Sequence, residues 1–388
     1  MTSVADQLRF EPTALPASLE SLRAEVRAFL KEALADVPVV KRSHSWEAYD
    51  AEFSAKLGAQ GWIGMTLPKA YGGHGRSALE RYVVVEECLV AGAPTAFHWV
   101  ADRQSGPLVV RYGNEAQKHA IVPAITAGKA CFAIGMSEPN SGSDLASLRT
   151  RAERTPSGWK VNGTKIWTTN AHRANYMIAL LRTDPDPNKK HAGLSQFLID
   201  LSKVKGITPR PIQNLAGGRN FNEVAFVDAE LPPDALLGTE GQGWRQVTEE
   251  LAFERSGPER YLSCFFLLRK LIDVVKDQAS PATLARIGSQ VAWAATLRSM
   301  SLSIAAKLNA GQDPALEASV VKDLGCQFEQ ALPGLAQELC ELEPTLEGHG
   351  TEYQQVLGAL IQVAPSFSLR GGTPEIMRGI IAKGLGVR

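Results

Sequence analysis

The chain has 388 residues, 44% of them hydrophobic, and 41 lysines and arginines balance 41 aspartates and glutamates. This length allows two or three modules or one large multilayer fold, and the apolar content is ordinary for a soluble globular protein. A balanced charge gives no general field that would favour nucleic acid or an anionic membrane. We see no secretory signal and no stretch apolar enough to span a bilayer, so we expect a cytoplasmic protein that binds neither nucleic acid nor membrane.

The cysteines argue against a disulfide framework. There are five of them, an odd number, and they are widely scattered. This pattern is typical of free thiols in a reducing compartment. No CxxC pair or HxxxH spacing occurs, so we expect no metal site.

The first region of the chain is predicted to be helical. Residues 17–35 have apolar side chains at helical spacing, and the same spacing continues through residues 46–57. The glycine-rich stretch 67–75 predicts a loop. Residues 78–128 again have a helical pattern, which ends at Gly128.

Residues 130–235 change to β-branched and aromatic runs separated by turn residues. We predict strands at 176–181, 196–200 and 224–227. Asn162-Gly163 stands between two apolar runs, which predicts a β-hairpin turn at these two residues.

From residue 242 to the end the pattern is helical once more. Two apolar stripes at helical spacing predict the core of a helical bundle, and they contain Leu284, Ile287, Val291, Ala295, Leu297, Ile304, Leu308, Val320, Leu324, Phe328 and Leu332. The order is therefore helices, a small β module and a helical bundle. No βαβ alternation occurs, which argues against a Rossmann fold.

Three segments are candidates for chemistry: Met136–Asp144 (MSEPNSGSD), Lys165–Asn170 (KIWTTN) and Arg370–Arg378 (RGGTPEIMR). In the third, two glycines let the backbone approach a ligand closely. Thr373 predicts the cap of a helix, and Pro374 suits its first turn. The free N–H groups of such a helix suit an anion such as phosphate, although this segment alone would equally fit an ordinary helix start.

The three segments, in this order and spacing, resemble the acyl-CoA dehydrogenase family. The resemblance covers nearly the whole chain and implies an α+β fold. Its parts are an N-terminal helical domain (1–129), a flavin-facing β domain (130–236) and a C-terminal four-helix-bundle domain (237–388) for oligomerisation and the catalytic base. It also implies a role in fatty acid or lipid catabolism. The implied cofactor is FAD, the substrate an acyl-CoA and the electron acceptor an electron-transferring flavoprotein.

The resemblance assigns site residues by their place in the motifs. It implies cofactor contacts at Ile134, Met136, Ser137, Gly142, Ser143, Trp167, Thr169, Thr373 and Glu375. It implies substrate contacts at Ser143, Arg255, Gly371 and Gly372. Ser137 would bond to the flavin ring, and Trp167 would form a flat wall beside it. A tryptophan at the end of a strand is equally often part of a core, so that alternative stays open for Trp167.

The implied reaction removes the α-proton of the acyl group and transfers the β-hydrogen to the flavin as hydride. Many family members place the catalytic glutamate where this chain has Gly371. A second branch, which includes the isovaleryl and long-chain dehydrogenases, places it on a helix after the β domain and directly before an arginine. Glu254-Arg255 matches that position, and the alternative is a solvated ion pair on a helix face. If that helix continued through Pro258, the proline would kink it.

The chain also departs from the family pattern in the C-terminal region. The segments 260–269 and 346–353 do not match the R-x-x-F-G and Q-x-F-G-G-x-G motifs that contact FAD across subunits. The expected assembly is therefore a homodimer or tetramer, or a heteromer with a related chain. Two other functions stay open, a flavin monooxygenase or oxidase on the same fold and a non-catalytic subunit. A helix-borne base favours a branched, bulky or steroid-derived acyl group.

Overall fold

The computed structural model describes residues 8–186, 188–255, 257–346 and 348–387, and within residues 251–254 it describes only the backbone. The chain forms two compact units, which we call the helical unit and the β unit. The helical unit consists of Met1–Phe53, Arg76–Ala96 and Ala252–Arg388, and the β unit of Ser54–Gly75 and Phe97–Leu251. The predicted fold class is confirmed, because helical regions stand on both sides of a central sheet in the sequence.

In chain order the helices are α1 (Leu19–Ala33), α2 (Val39–Ser43), α3 (Ala51–Ala59), α4 (Ala78–Ala91), α5 (Ala96–Val100), α6 (Gly106–Tyr112), α7 (Glu115–Thr126), α8 (Gly243–Arg255), α9 (Phe265–Val275), α10 (Pro281–Asn309), α11 (Ala315–Leu339), α12 (Glu352–Val363) and α13 (Pro374–Gly384). The strands are β1 (Phe132–Gly135), β2 (Arg151–Thr155), β3 (Gly158–Lys165), β4 (Tyr176–Arg182), β5 (Leu194–Asp200), β6 (Ile207–Ile212), β7 (Phe221–Leu231) and β8 (Leu236–Leu237). No helix in the described ranges is long and apolar enough to cross a membrane.

In the helical unit, buried charged and hydroxyl groups link the N-terminal helices to the bundle. Glu86 of α4 accepts from Arg23 of α1 at 3.0 Å and from Arg298 of α10 at 2.6 Å. The hydroxyls of Tyr82 and Tyr261 lie 2.8 Å apart in the same interior. Because these groups come from distant parts of the sequence, they fix how the helices of this unit pack together.

The bundle stripes are only partly core. Ile287, Leu297 and Ile304 of α10 are buried, as predicted. Leu284 and Val291 are 53% and 48% exposed, and Ala295 is also exposed, so the assignment of these three residues to the core was wrong. A helix of 29 residues with small residues around most of its circumference has no single apolar face, and periodicity therefore misplaced its buried side.

The β unit is built on one sheet with the strand order β6-β7-β3-β2-β4-β5-β8, and β1 pairs in parallel with β4. The predicted strands at 176–181, 196–200 and 224–227 all form. The apolar run of β4 is buried, whereas in β7 Val224 and Phe226 are buried and Val227 is 67% exposed. Sequence analysis missed β1, β2, β6 and β8. These strands are short or carry charged and proline residues, which weakens their pattern.

The predicted hairpin turn at Asn162-Gly163 was wrong. Both residues lie inside β3, where the register with β7 shifts between Val161 and Gly163. Gly163 has φ +143°, and a Cβ there would lie 2.7 Å from Thr150 Cα. Between Ala229 and Phe226, β7 has two residues where β3 has only Asn162, so the extra residue of this β-bulge lies on β7 and the Asn-Gly pair stands opposite it. The actual turn lies between β2 and β3.

The structure describes two helical regions in more detail than the sequence does. The helical stretch 78–128 is divided into α4 to α7, with a π-helical turn at Ala101–Ser105. Helix α8 does not continue through Pro258 with a kink. It ends at Arg255, and Pro258–Arg260 form a separate 3-10 turn, as expected for a proline that cannot donate a helical hydrogen bond.

Candidate active site

In the β unit, the Met136–Asp144 segment begins directly after β1. Ile134 of β1 pairs with Ile178 of β4, which fixes the strand in the core of the sheet. Glu138 and Ser141 exchange two backbone hydrogen bonds of 2.8 and 3.0 Å, and these close a tight turn. The buried Ser141 hydroxyl donates to the Asp144 carbonyl at 2.7 Å. The segment is therefore rigid by its own hydrogen bonds, and it leaves Gly142 and Ser143 exposed.

The Trp167 loop lies against this segment. The amide of Ile166 donates to the Ser137 carbonyl at 2.9 Å, and the amide of Thr168 donates to the Asn222 carbonyl at 3.1 Å. The structure thus brings together the predicted cofactor residues Ser137, Trp167 and their neighbours within the β unit.

Trp167 is not a core residue. Its side chain is 57% exposed, and its backbone has φ +59°. A bulky residue at positive φ is strained by about 1–3 kcal/mol, and strained residues of this kind occur most often at functional sites. Both observations favour the cofactor-wall hypothesis over the core alternative.

We expect Trp167→Ala to separate these two roles. Removal of an exposed side chain should change the free energy of unfolding by no more than about 0.5 kcal/mol. Loss of one aromatic contact should weaken FAD binding by up to about tenfold. Urea unfolding and a fluorescence titration of the apoprotein with FAD measure both quantities.

The matched control is Trp159→Ala on the same strand–loop segment. Trp159 is 2% exposed, so its removal should cost about 3–5 kcal/mol of stability. A loss of that size in Trp167→Ala, with unchanged FAD affinity, would contradict the cofactor role.

In the helical unit, the end of α8 meets the turn at Gly371-Gly372. The Arg255 Nε donates to the Gly371 carbonyl at 2.9 Å. The Lys322 Nζ donates to the carbonyls of Gly372 at 2.8 Å and Ser368 at 3.2 Å. Arg255 and Lys322 are both buried, so two interior cations hold this turn. The predicted substrate residues Arg255, Gly371 and Gly372 therefore lie together.

The turn has the backbone geometry that its sequence predicts. Gly371 and Gly372 have φ +66° and +105°, which disfavour residues with a side chain. Thr373 caps α13 by accepting from the Ile376 amide at 3.4 Å, and Pro374 is its first residue. Glu375 is exposed in the first turn of α13. Backbone and Thr373 hydrogen bonds at this helix start lower the pKa of its carboxyl.

The predicted base is carried by the last turn of α8. The backbone of Glu254 is helical, one residue before Arg255. Its side chain lies outside the described residues. The assignment of Glu254 therefore stays a prediction.

Comparisons with known proteins show the family of the chain. Family models of the acyl-CoA dehydrogenase N-terminal, middle and C-terminal domains match residues 16–129, 133–229 and 241–386. The chain belongs to the acyl-CoA dehydrogenase family. An acyl-CoA dehydrogenase IpdE1 of Mycolicibacterium smegmatis is 32% identical, with 94% of this chain and 96% of that protein aligned.

Solved acyl-CoA dehydrogenase structures share the fold of the whole chain. The Tcur3481-Tcur3483 steroid ACAD has a TM-score of 0.85 at 27% identity, with 97% of this chain and 99% of that chain covered. The ChsE4-ChsE5 complex from Mycobacterium tuberculosis has a TM-score of 0.82 at 27% identity, with the same coverage.

Members of the family are FAD-dependent oxidoreductases, and FAD is the cofactor of this acyl-CoA dehydrogenase. The residues of the β unit fit the cofactor. A Cβ on Gly142 would meet no atom within 4 Å, so the backbone there is open to a ligand. The Thr168 hydroxyl and the side-chain carbonyl oxygen of Asn170 are buried without a hydrogen-bond partner among the described residues. An exposed indole and unpaired polar atoms are what a bound isoalloxazine requires.

Proposed function

We propose that this acyl-CoA dehydrogenase converts an acyl-CoA thioester into the 2-enoyl-CoA, with Glu254 as the base that removes the α-proton. FAD, when bound, accepts the β-hydrogen as hydride. The α-proton passes to the Glu254 carboxylate, and the carbon–carbon double bond forms from the electron pair that the α-carbon–hydrogen bond leaves behind.

The observation that carries the proposal is the contact between Arg255 and the Gly371 carbonyl. It ties the helix end that bears Glu254 to the turn where other family members carry their glutamate. Gly371 has no side chain to act there, so the residue next to Arg255 supplies the carboxylate. This supports a base from the helix-borne branch of the family.

The same turn supports substrate binding through its amides. In a planar trans peptide the N–H points opposite to the preceding carbonyl. The Gly371 carbonyl faces Arg255 and the Gly372 carbonyl faces Lys322, so the Gly372 amide points away from Arg255 and the Thr373 amide points away from Lys322. Neither amide donates to another described residue. They are suited to stabilise the negative charge that develops on a thioester carbonyl or to bind a phosphate oxygen.

The proposed cofactor contacts come from several segments. Ser137 and the backbone of Ile134 and Met136 would bond to the ring edge, and Thr169 would stand beside it. Gly142 and Ser143 would approach the phosphates and the acyl-CoA. Thr373 and Glu375 would contact the cofactor from the start of α13.

For the acyl group we propose a branched, bulky or steroid-derived chain. The helix-borne base supports this class, and so does the similarity to a steroid ACAD at a TM-score of 0.85. We propose an electron-transferring flavoprotein as acceptor. The similarity to the ChsE4-ChsE5 complex and the unmatched C-terminal motifs support a heteromer with a related chain over a homodimer or tetramer.

The test is the visible absorption spectrum of the purified chain followed by anaerobic addition of acyl-CoA substrates. We expect an oxidised flavin spectrum that a branched or steroid-derived acyl-CoA bleaches more rapidly than a short straight-chain one. Oxygen consumption with reduced flavin, without bleaching, would support a monooxygenase or oxidase instead. A colourless protein would support either a heteromer in which a related chain completes the FAD site or a non-catalytic subunit.

A further inference from the structure

A buried lysine lies between the two segments that are predicted to hold the flavin. Lys165 is the last residue of β3, and its side chain is fully buried. Its Nζ donates to the Met136 carbonyl at 3.0 Å and to the Glu138 carboxylate at 2.9 Å. The aliphatic stem passes the end of β1, since a Cβ on Gly135 would lie 3.6 Å from Lys165 Cγ. The ammonium therefore holds the chain on both sides of Ser137.

Glu138 connects this lysine to the start of β2. Its carboxylate accepts from the amides of Arg149 at 2.7 Å and Thr150 at 2.8 Å, in addition to Lys165. Three donors to one carboxylate fix its position completely. The Met136–Asp144 segment is thus anchored through its Glu138 side chain to a second part of the β unit.

The charge state of the pair is consistent with this geometry. The pKa of Lys165 is lowered to about 8, mainly by burial; the charge of Glu138 opposes this shift, and the charge of Arg182 adds to it. Burial alone would raise the pKa of Glu138, but the Lys165 charge and the hydrogen bonds from Thr150, Lys165 and Arg149 hold it below its usual range. Both groups are therefore charged at neutral pH.

Stability does not explain why the pair is buried. Two charges lose much solvation energy when they move from water into a protein interior. A protein in which a hydrophobic pair of the same volume replaces a buried ion pair is often equally stable or more stable. Position offers an explanation. Lys165 precedes the Trp167 loop in the chain, and the Ser137 carbonyl accepts from the Ile166 amide. The Lys165 ammonium therefore holds the backbone of both segments that are predicted to contact the flavin.

We propose that Lys165, acting through Glu138 and the Met136 carbonyl, is a positioning residue that sets the conformation of Ser137 and the Trp167 loop for the flavin ring. The proposal rests on the FAD site of the proposed function. It is independent of the identity of the base and of the acyl group.

The test uses Lys165→Met, which keeps the length of the side chain without its charge, and Glu138→Gln, which keeps its shape. We expect both variants to fold, to bind FAD at least about tenfold more weakly and to alter the visible flavin spectrum. Hydrogen exchange of the apoprotein should be faster at the amides of Ser141, Thr150 and Ile166. A double variant should bind FAD no more weakly than the worse single variant, because the two residues act as one unit.

The matched control is Ile199→Ala in β5 of the same sheet, where Ile199 is 1% exposed. It should lower the melting temperature about as much as Lys165→Met does, while the FAD affinity and the flavin spectrum stay as in the wild type. Wild-type FAD affinity, spectrum and exchange in Lys165→Met would overturn the proposal. If Lys165→Met does not fold, the same three measurements on Glu138→Gln decide.

Failure of the proposed function would give a different result. A wild-type chain that binds FAD but is bleached by no acyl-CoA would contradict the dehydrogenation, while the affinity and exchange measurements would still test Lys165.

Discussion

We expect Glu254→Gln to reduce the rate of flavin bleaching by acyl-CoA by about 10²–10⁴-fold, the usual contribution of a general base. Glutamine has nearly the same shape but cannot accept the α-proton. The FAD content should stay at the wild-type level, because the cofactor residues of the β unit are untouched. Anaerobic stopped-flow spectroscopy measures the rate, and exchange of the substrate α-proton in D2O measures the proton step by itself.

The structure offers a matched control on the same helix. Glu249 of α8 is paired with Arg245 and Arg111 at 3.2 Å each. Glu249→Gln should therefore leave bleaching and α-proton exchange close to wild type. A second comparison is Glu375→Gln, because Glu375 is the carboxylate of the Arg370–Arg378 segment. Wild-type exchange in Glu254→Gln together with a large loss in Glu375→Gln would transfer the role of base to Glu375.

The features that could be predicted from the sequence are local ones. Thr373 and Pro374 specify a helix start through their own backbone preferences, and the structure has this start where expected. Strand β4 is a nearly continuous apolar run, and β5 has the apolar run Phe197-Leu198-Ile199 at its centre, as is typical of buried strands. In each case the decisive signal lies within a few neighbouring residues.

The contacts that hold the candidate site are not local, and no spacing rule contains them. Arg255 and Gly371 are separated by 116 residues, and Lys322 and Gly372 by 50. The Asn162-Gly163 error has the same origin, because the pair lies within a strand whose irregular pairing depends on an extra residue in the distant strand β7.

One signal for Lys165 is present in the sequence. In β3 the buried Trp159 and Val161 alternate with more exposed residues, and Lys165 follows at the same odd-numbered spacing. A period of two therefore assigns a lysine to the buried face of a strand. Because a buried lysine needs a partner, this spacing by itself indicates a carboxylate close to Lys165.

The second large effect is expected at Arg370, the residue directly before the Gly371-Gly372 turn. Its guanidinium lies between the rings of Trp46 and Phe367, at 4.3 and 4.0 Å from their centroids. It donates to the Glu329 carboxylate at 2.6 Å, and Glu329 is fully buried. The other oxygen of Glu329 accepts from the Ser263 amide at 2.7 Å. Burial raises the pKa of Glu329 although Arg370 opposes this, so the charged pair is held at a cost in solvation energy.

We therefore expect Glu329→Leu to lower the free energy of unfolding by about 3–5 kcal/mol, because it leaves the Arg370 cation buried without the carboxylate it donates to. The double variant Glu329→Leu with Arg370→Leu should recover most of that loss, since leucine suits a site between two aromatic rings. Urea denaturation of the apoprotein measures both. The control is Glu338→Leu on the same helix, whose exposed pair with Arg286 should contribute no more than about 1 kcal/mol.

If the double variant is as unstable as Glu329→Leu, the loss comes from the Ser263 hydrogen bond and packing, and the charge of Arg370 is not its cause. If it recovers, the arginine that stands at the start of the Gly371-Gly372 turn depends on Glu329 for its neutralisation, and the turn should lose acyl-CoA affinity in the single variant and regain it in the double one.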